Sequence, residues 1–304
     1  MRMSTAAWNH CDLRAFKVSL RGEEEPRQPE PRREGPARVP SLLLLLAVLL
    51  LALLAAALLV WRSLGDNLSG TSVTRDSIDS SPEPRVRLTN ATGQVRVEGV
   101  EDLDSIEYEV TRYALAGDPA AAKKRASEVP VNLSREDSTV VLETGGGRGT
   151  GADYLLKVPS AGSVEVESGA GDVEVTGLSG NVTVVANAGD VTVRNAGNDV
   201  TVEAPQGDVV VSGISTDTGQ TELEVGSGDV TLRDMIVGTL EARVEAGDVT
   251  LSGRFSGSGR VLVETGDITA NLPPEDTREL TLETRVGQIM RETPTEKEER
   301  PEGD

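Results

Sequence analysis

The second half of the chain repeats the tripeptide Gly-Asp-Val, or Gly-Asp-Ile, with alternating apolar residues after each copy. A weaker copy, Gly-Gln-Ile-Met, follows at Gly287. Successive copies lie 18 to 21 residues apart, and a period in this range is typical of solenoids, whose repeats bury their apolar faces on one another. The sequence therefore predicts an all-β solenoid, or β-helix, of about seven rungs. The turn glycines are Gly171, Gly189, Gly207, Gly228, Gly247 and Gly266.

Apolar residues occupy every second position on both sides of each turn, as strands with one buried face require. In the first rung Val164 and Val166 precede the turn, and Val173 and Val175 follow it. Equivalent valines continue two interior rows in later rungs. The polar residues between them form the expected outer face: Glu165, Glu174, Thr183, Thr192, Arg194, Thr201, Glu203, Thr231 and Arg233.

The turns differ in apparent length. Val166 lies seven positions before Val173, whereas Val225 lies five positions before Val230. A change of two residues keeps each side chain on its own face of the strand, while a change of one would invert it. We therefore expect some turns to be shorter by two residues.

The aspartate of each copy has two interpretations. It can fix a turn by bonding nearby backbone, beside a glycine with positive φ, and recurrence on every rung favours this structural role. Alternatively, carboxylates on adjacent rungs would lie about 4.8 Å apart and could share calcium, although the extra glycines of calcium-binding β-rolls are missing. The calcium candidates are Asp172, Asp190, Asp208, Asp229, Asp248 and Asp267.

An unbroken run of Leu, Ala and Val extends from Leu42 to Val60. About 20 apolar residues cross a bilayer as a helix, so we predict one transmembrane helix over residues 41–61. A cleaved signal peptide is the alternative, but its apolar region is shorter and nearer the start. Basic residues are concentrated upstream of the run, which places the amino end in the cytoplasm and the repeats outside.

Composition divides the remaining chain into segments. Residues 1–40 are charged and rich in proline, typical of a disordered cytoplasmic tail, and residues 62–84 resemble a flexible linker. The outer domain spans residues 85–292, with an N-terminal cap part over 85–160 and the repeats over 161–292. The cap part contains one helix candidate, capped by Asp118 and able to close one end of the solenoid. Residues 293–304 are expected to form a disordered acidic tail.

Residue types limit the possible chemistry. Cys11 is the only cysteine and His10 the only histidine, so the outer domain has neither thiol nor imidazole for catalysis or zinc binding. The net charge of −20 disfavours nucleic acid and anionic lipid surfaces as partners. We predict no catalytic residues and no cofactor, calcium excepted.

The segments GQVRVEG and YLLKVP, followed by the Gly-Asp-Val turns, resemble the bacterial envelope family called putative adhesin, a domain of unknown function. The resemblance covers residues 85 to about 292. It implies a membrane-tethered β-solenoid, and it carries over no catalytic residue.

Three functions are compatible with the sequence. A non-enzymatic surface module would bind an envelope polymer, a protein or another copy of itself. Few aromatic residues could stack on sugars in the outer part, namely Tyr108, Tyr113, Tyr154 and Phe255. A single-span sensor would couple the solenoid to the cytoplasmic tail. A polysaccharide-active β-helix enzyme would use outward carboxylates such as Glu165, Glu203 and Glu245.

Overall fold

The computed structural model describes residues 69–255, 257–273 and 280–292. The predicted cytoplasmic tail, the run from Leu42 to Val60 and the acidic tail lie outside these residues. Within them, no helix has both the length and the apolar character needed to cross a membrane.

The N-terminal part of the described chain contains seven strands and one helix. The strands are β1 (Ser69–Asp79), β2 (Arg85–Asn90), β3 (Val95–Val100), β4 (Ser105–Leu115), β5 (Val131–Glu136), β6 (Thr139–Thr144) and β7 (Thr150–Pro159). The helix, α1 (Pro119–Ser127), lies between β4 and β5.

The repeats form the remaining strands. They are β8 (Ser163–Ser168), β9 (Val173–Thr176), β10 (Val182–Ala186), β11 (Val191–Arg194), β12 (Val200–Gln206), β13 (Val209–Ser212), β14 (Ser215–Ser227), β15 (Val230–Ala246), β16 (Val249–Phe255), β17 (Gly259–Thr265), β18 (Ile268–Asn271), β19 (Leu280–Val286) and β20 (Ile289–Glu292).

The repeat strands stack in parallel as two rows, one on each side of the glycine turns. The pre-turn row contains β8, β10, β12, β14, the second half of β15, β17 and β19. The post-turn row contains β9, β11, β13, the first half of β15, β16, β18 and β20. This architecture confirms the predicted all-β solenoid with one short helix.

Side-chain alternation places the valines of both rows in one continuous core. Val164, Val166, Val173 and Val175 are at most 3% exposed, and the side chains that continue their rows in β10 to β18 are buried as well. None of the nine residues expected on the outer face is buried. Burial of β-branched side chains against the same residues of the next rung is the main favourable term that this fold offers.

The turn itself has constant length, contrary to the expected two-residue shortening. Val166 aligns through the pre-turn row with Leu223, not with Val225. Val225 instead continues the position of Ser168, next to the turn. The variable repeat length is taken up in the connection from each post-turn strand to the next pre-turn strand, seven positions from Val175 to Val182 and ten from Val211 to Thr221.

The order of stacking differs from the order of the chain. Strand β2 lies between β6 and β8, and β3 lies between β7 and β9, all in parallel. After β3 the chain forms β4 to β7, and of these β6 and β7 stack on one side of β2 and β3. It then continues with β8 and β9 on the other side of β2 and β3. Residues 85–160 thus contribute parallel rungs of their own, with β2 and β3 stacked directly on the first repeat rung.

Antiparallel strands close this end of the solenoid. Strand β4 pairs with β7, β1 pairs with β4, and β5 pairs with β6. The expectation that residues 62–84 form a flexible linker is corrected for Ser69–Asp79, which pair along their whole length with β4. Strand β1 has little apolar alternation of its own. It is held by pairing with the edge of β4 and by packing against α1.

Helix α1 begins where the sequence predicts. The Asp118 side chain accepts a hydrogen bond from the Ala121 N–H at 2.8 Å, and Pro119 occupies the first turn. Ala122 and Ala126 are fully buried against β1 and β4. An added Cβ at Gly70 would overlap the helix backbone at Lys123, so this glycine allows the close approach of helix and strand.

The solenoid has about six turns, compared with about seven expected. Strands β19 and β20 pair with β17 and β18, but residues 274–279 that lead into them are outside the described chain. Val286, Ile289 and Met290 on these strands are at least 40% exposed, so the last pair of strands lacks a neighbour on one side among the described residues.

Candidate functional site

The six turn glycines form a column along one edge of the solenoid. Each has a positive φ, from 127° at Gly171 to 150° at Gly247, and Gly93 and Gly287 extend the column at its two ends. An added Cβ at Gly228 would overlap the carbonyl oxygen of Gly207 in the rung before it, and the same relation recurs along the column. The glycines therefore set how closely the rungs stack at the turn.

The aspartates beside these glycines link successive rungs. Oδ1 of Asp172 accepts a hydrogen bond from the Asp190 N–H at 3.1 Å, and Oδ1 of Asp190 accepts one from the Asp208 N–H at 2.9 Å. The same contact continues through Asp229, Asp248 and Asp267, and it ends at the Gln288 N–H. Each carboxylate thus binds the backbone of the next turn, in addition to any role in its own turn.

The six calcium candidates lie in one row, but each presents one oxygen to an amide. Among the described residues no group of three or more His, Cys, Asp or Glu has an arrangement that could hold a metal ion. Calcium binding by this row stays a prediction from the sequence.

Replacement of Asp208 tests the contact between rungs. We expect Asp208→Ala to lower the free energy of unfolding by about 1 to 2 kcal/mol, because the Asp229 N–H loses its acceptor. Asp208→Asn should cost less, since an amide oxygen can accept the same bond. Urea denaturation followed by circular dichroism measures both values, and equal losses in the two variants would contradict the inter-rung bond.

A groove opens where the antiparallel strands of the N-terminal end meet the first rungs. Its volume is about 500 Å³, and strands β4, β7, β3, β9 and β11 contribute its walls. The polar side chains that line it are Gln94, Arg96, Glu109, Thr111, Asp153, Asp172, Glu174, Asp190, Thr192 and Arg194. These residues come together only because β3 stacks between β7 and β9.

The two arginines of the groove already have a partner within it. Arg96 contacts Glu174 at 2.7 Å, and Arg194 contacts the other oxygen of Glu174 at 2.6 Å. The single carboxylate therefore bridges two cations, one on each of the rungs on either side of its own. Glu109 accepts two hydrogen bonds from Arg75, which lines an adjoining groove of about 450 Å³.

Three carboxylates of the groove have no such compensation. Asp153 accepts from the Gln94 N–H at 2.9 Å, in the manner of the turn aspartates, and lies in line with Asp172 and Asp190. Within the described residues no Lys or Arg forms an ion pair with any of the three. The groove therefore carries a surplus of negative charge, which favours a cationic ligand.

A buried polar cluster supports the wall of this groove. The hydroxyl of Tyr154 is hydrogen-bonded to Thr144, and Nδ2 of Asn90 donates to the carbonyl oxygens of Gly93 and Ala152. Burial raises the pKa of Tyr154 above its ordinary value. Tyr154 is 3% exposed and Phe255 5%, so two of the four aromatic residues considered for sugar stacking belong to the core.

The outward carboxylates named for an enzymatic mechanism do not form one pair. Glu165 is joined to Arg87 at 2.9 Å. Glu203 and Glu245 line a shallow groove of about 210 Å³ together with Glu224. Neither place combines a carboxylate pair with an enclosed cavity, which glycosidic chemistry by two carboxylates would need.

Comparison with known proteins adds a family and a set of folds. The family model described as Toastrack DUF4097 matches residues 99–303. A putative adhesin from Bacteroides fragilis is 14% identical, with a TM-score of 0.50, and the match covers 72% of this chain and 97% of that chain. This likeness shows a shared fold.

Two further crystal structures align less closely. A putative cell adhesion protein from Clostridium sporogenes is 11% identical, with a TM-score of 0.35, over 73% of this chain and 100% of that chain. A putative adhesin from Parabacteroides merdae is 14% identical, with a TM-score of 0.29, over 74% and 97%. No curated protein matches.

The family match begins at Gly99 within β3 and includes every Gly-Asp turn and most of the strands that form the groove. It covers well over half of the chain and agrees with the resemblance carried by GQVRVEG, YLLKVP and the repeated turns. The chain belongs to the Toastrack DUF4097 family.

Proposed function

We propose that this protein is a non-enzymatic binding module of the cell envelope, anchored by the apolar run from Leu42 to Val60 with its solenoid outside the membrane. The Bacteroides fragilis structure that shares its fold is described as a putative adhesin, which supports a surface role. The anchor and its orientation rest on the sequence alone.

The groove between the N-terminal strands and the first rungs carries this proposal. It offers about 500 Å³ and three carboxylates without an ion-pair partner in the described chain. An extended basic segment of a partner protein fits this surface, because its Lys or Arg side chains could meet Asp153, Asp172 and Asp190 in turn. One side of this row of aspartates is lined by the ion-paired Arg96, Glu174 and Arg194.

Neutralising two groove aspartates should weaken binding of a cationic ligand without loss of the fold. In Asp172→Asn with Asp190→Asn, the amide oxygens can still accept the inter-rung bonds, and only the charge is removed. We expect the affinity of the full chain in detergent micelles for a fluorescent oligolysine peptide to fall about tenfold. Each exposed charge pair that is lost contributes roughly 0.2 to 1 kcal/mol to binding. Fluorescence anisotropy at low ionic strength measures the change.

A matched variant separates the groove from the general negative charge of the protein. Asp229→Asn with Asp248→Asn removes the same charge from the same row of turns, outside the groove. It should leave the affinity nearly unchanged, and an oligoglutamate peptide should not bind. Equal losses in the two double variants, or no oligolysine binding by the unmodified chain, would contradict the proposal.

A further inference from the structure

The C-terminal end of the solenoid presents two unpaired strand edges. Strand β19 pairs only with β17, and β20 pairs only with β18, in the described part of the chain. The free side of each strand carries a row of backbone N–H and C=O groups. Such an edge is a template for pairing with another strand.

Exposed apolar side chains accompany this edge. Ile289 is 40% exposed, whereas Ile268, its partner one rung earlier, is fully buried; Val286 at 64% and Met290 at 45% add exposed apolar side chains beside it. The difference arises because no further rung covers the last one in the described residues. The end therefore combines unpaired backbone with apolar surface, and a partner strand would satisfy both.

The charges of β19 are complementary to a second copy of the same strand. Glu283 lies 3.0 Å from Arg260, and Arg285 lies 2.8 Å from Glu264, so acidic and basic residues alternate between the last two rungs. If two β19 strands pair antiparallel about Thr284, Glu283 of each copy lies opposite Arg285 of the other. Leu282 then lies opposite Val286, and opposite charges and apolar pairs are the favourable neighbours across strands.

We propose that two copies of this chain associate end to end through antiparallel pairing of β19 with β19. The contact is two-fold symmetric, so it closes as a dimer and does not extend into a fibre. Association through this end is independent of the groove and leaves it open.

Charge reversal at the two central positions tests the register. In its own dimer, Glu283→Arg places an introduced arginine opposite Arg285 of the other copy, and Arg285→Glu places two glutamates opposite each other. We expect each single variant to associate at least about tenfold more weakly than the unmodified chain, since two cross-strand pairs change from attractive to repulsive. A mixture of the two variants should recover association. In the mixed dimer the introduced arginine of one copy lies opposite the introduced glutamate of the other, and the unchanged Arg285 lies opposite the unchanged Glu283, so both cross-strand pairs are attractive again.

Sedimentation velocity of the full chain in detergent micelles measures these affinities. Recovery in the mixture distinguishes the interface from damage to the fold, which mixing cannot repair. A monomer for the unmodified chain, or dimers of equal strength in all variants, would overturn the proposal. A chain ending at Glu292 that dimerises when the full chain does not would also overturn it, because residues 293–304 would then be the natural occupant of the edge.

A cross-link gives a second readout. In a Cys11→Ser background, Thr284→Cys places two thiols opposite each other across the two-fold axis, at a Cα separation of about 4.5 to 5.5 Å that a disulfide can bridge. Mild oxidation should yield a covalent dimer. Thr250→Cys, on the exposed middle of the solenoid, should yield none, and equal cross-linking of the two variants would count against the register.

Discussion

Replacement of Gly228 by alanine is expected to lower the free energy of unfolding by about 3 kcal/mol or more. Gly228 has a φ of 149°, a conformation that residues with a Cβ rarely adopt. An added Cβ would also overlap the carbonyl oxygen of Gly207, which belongs to the backbone of the previous rung and cannot rotate away. The backbone strain at a positive φ and the overlap with the Gly207 carbonyl oxygen both destabilise the variant. Relief of either would move the two neighbouring rungs apart.

Gly117→Ala is the matched control for this substitution. No atom lies within 4 Å of an added Cβ at Gly117, which precedes the N-cap of α1. We expect its stability to stay within about 1 kcal/mol of the unmodified chain, because the reduced freedom of the unfolded state is the main effect of the added methyl group. Guanidinium denaturation followed by circular dichroism compares the variants. A loss at Gly117 as large as that at Gly228 would contradict a specific role for the glycine column.

The period of the sequence was sufficient to predict the solenoid and its core. Val164, Val166, Val173 and Val175 define two short rows around one turn, and a repeat of 18 to 21 residues places each later valine on the row before it. The Asp118 helix cap was equally accessible, because capping depends on a few neighbouring residues. Features fixed by local pattern were therefore predicted well.

Features that depend on contacts between rungs were not predicted. The sequence suggested that Asp190 bonds backbone nearby, yet its carboxylate accepts from the Asp208 N–H of the next rung. The turn after Val225 looked shorter because Val225 is apolar, whereas Ser168, which occupies the same position in the first rung, is polar. The length of the turn itself is the same in both rungs. Alignment by apolar residues alone could not distinguish a shorter turn from an added apolar residue.

The groove was inaccessible to sequence reasoning for the same reason. Gln94, Asp153 and Asp172 lie far apart in the chain and meet because β3 inserts between β7 and β9. No repeat marks that insertion, because β2 and β3 precede the regular part of the sequence. One available signal was the Gly-Gln-Val copy at Gly93, whose positive φ matches the turn glycines of the repeats.

A one-residue insertion should destabilise the solenoid strongly at a glycine turn and only slightly in the segment that leads from a post-turn strand to the next pre-turn strand. We expect a glycine inserted between Gln206 and Gly207 to lower the free energy of unfolding by about 3 to 6 kcal/mol. The extra residue inverts the alternation after the turn, so that Val209 and Val211, both fully buried, would face solvent. The turn cannot absorb it readily, because Gly207 stacks on Gly189 and the Asp208 N–H binds Asp190.

The same glycine inserted after Thr218 should change stability by less than about 1 kcal/mol. This site lies in the first half of β14, between the aligned positions Val211 and Thr221, where pairing with β15 already shifts register between Thr216 and Gln220. Urea denaturation compares the free energies of unfolding of the two variants. Because both add one glycine, any difference between them comes from the position of the insertion. Similar losses would mean that the turns are as adaptable as the connections, and constant turn length would then not be what holds the rungs in register.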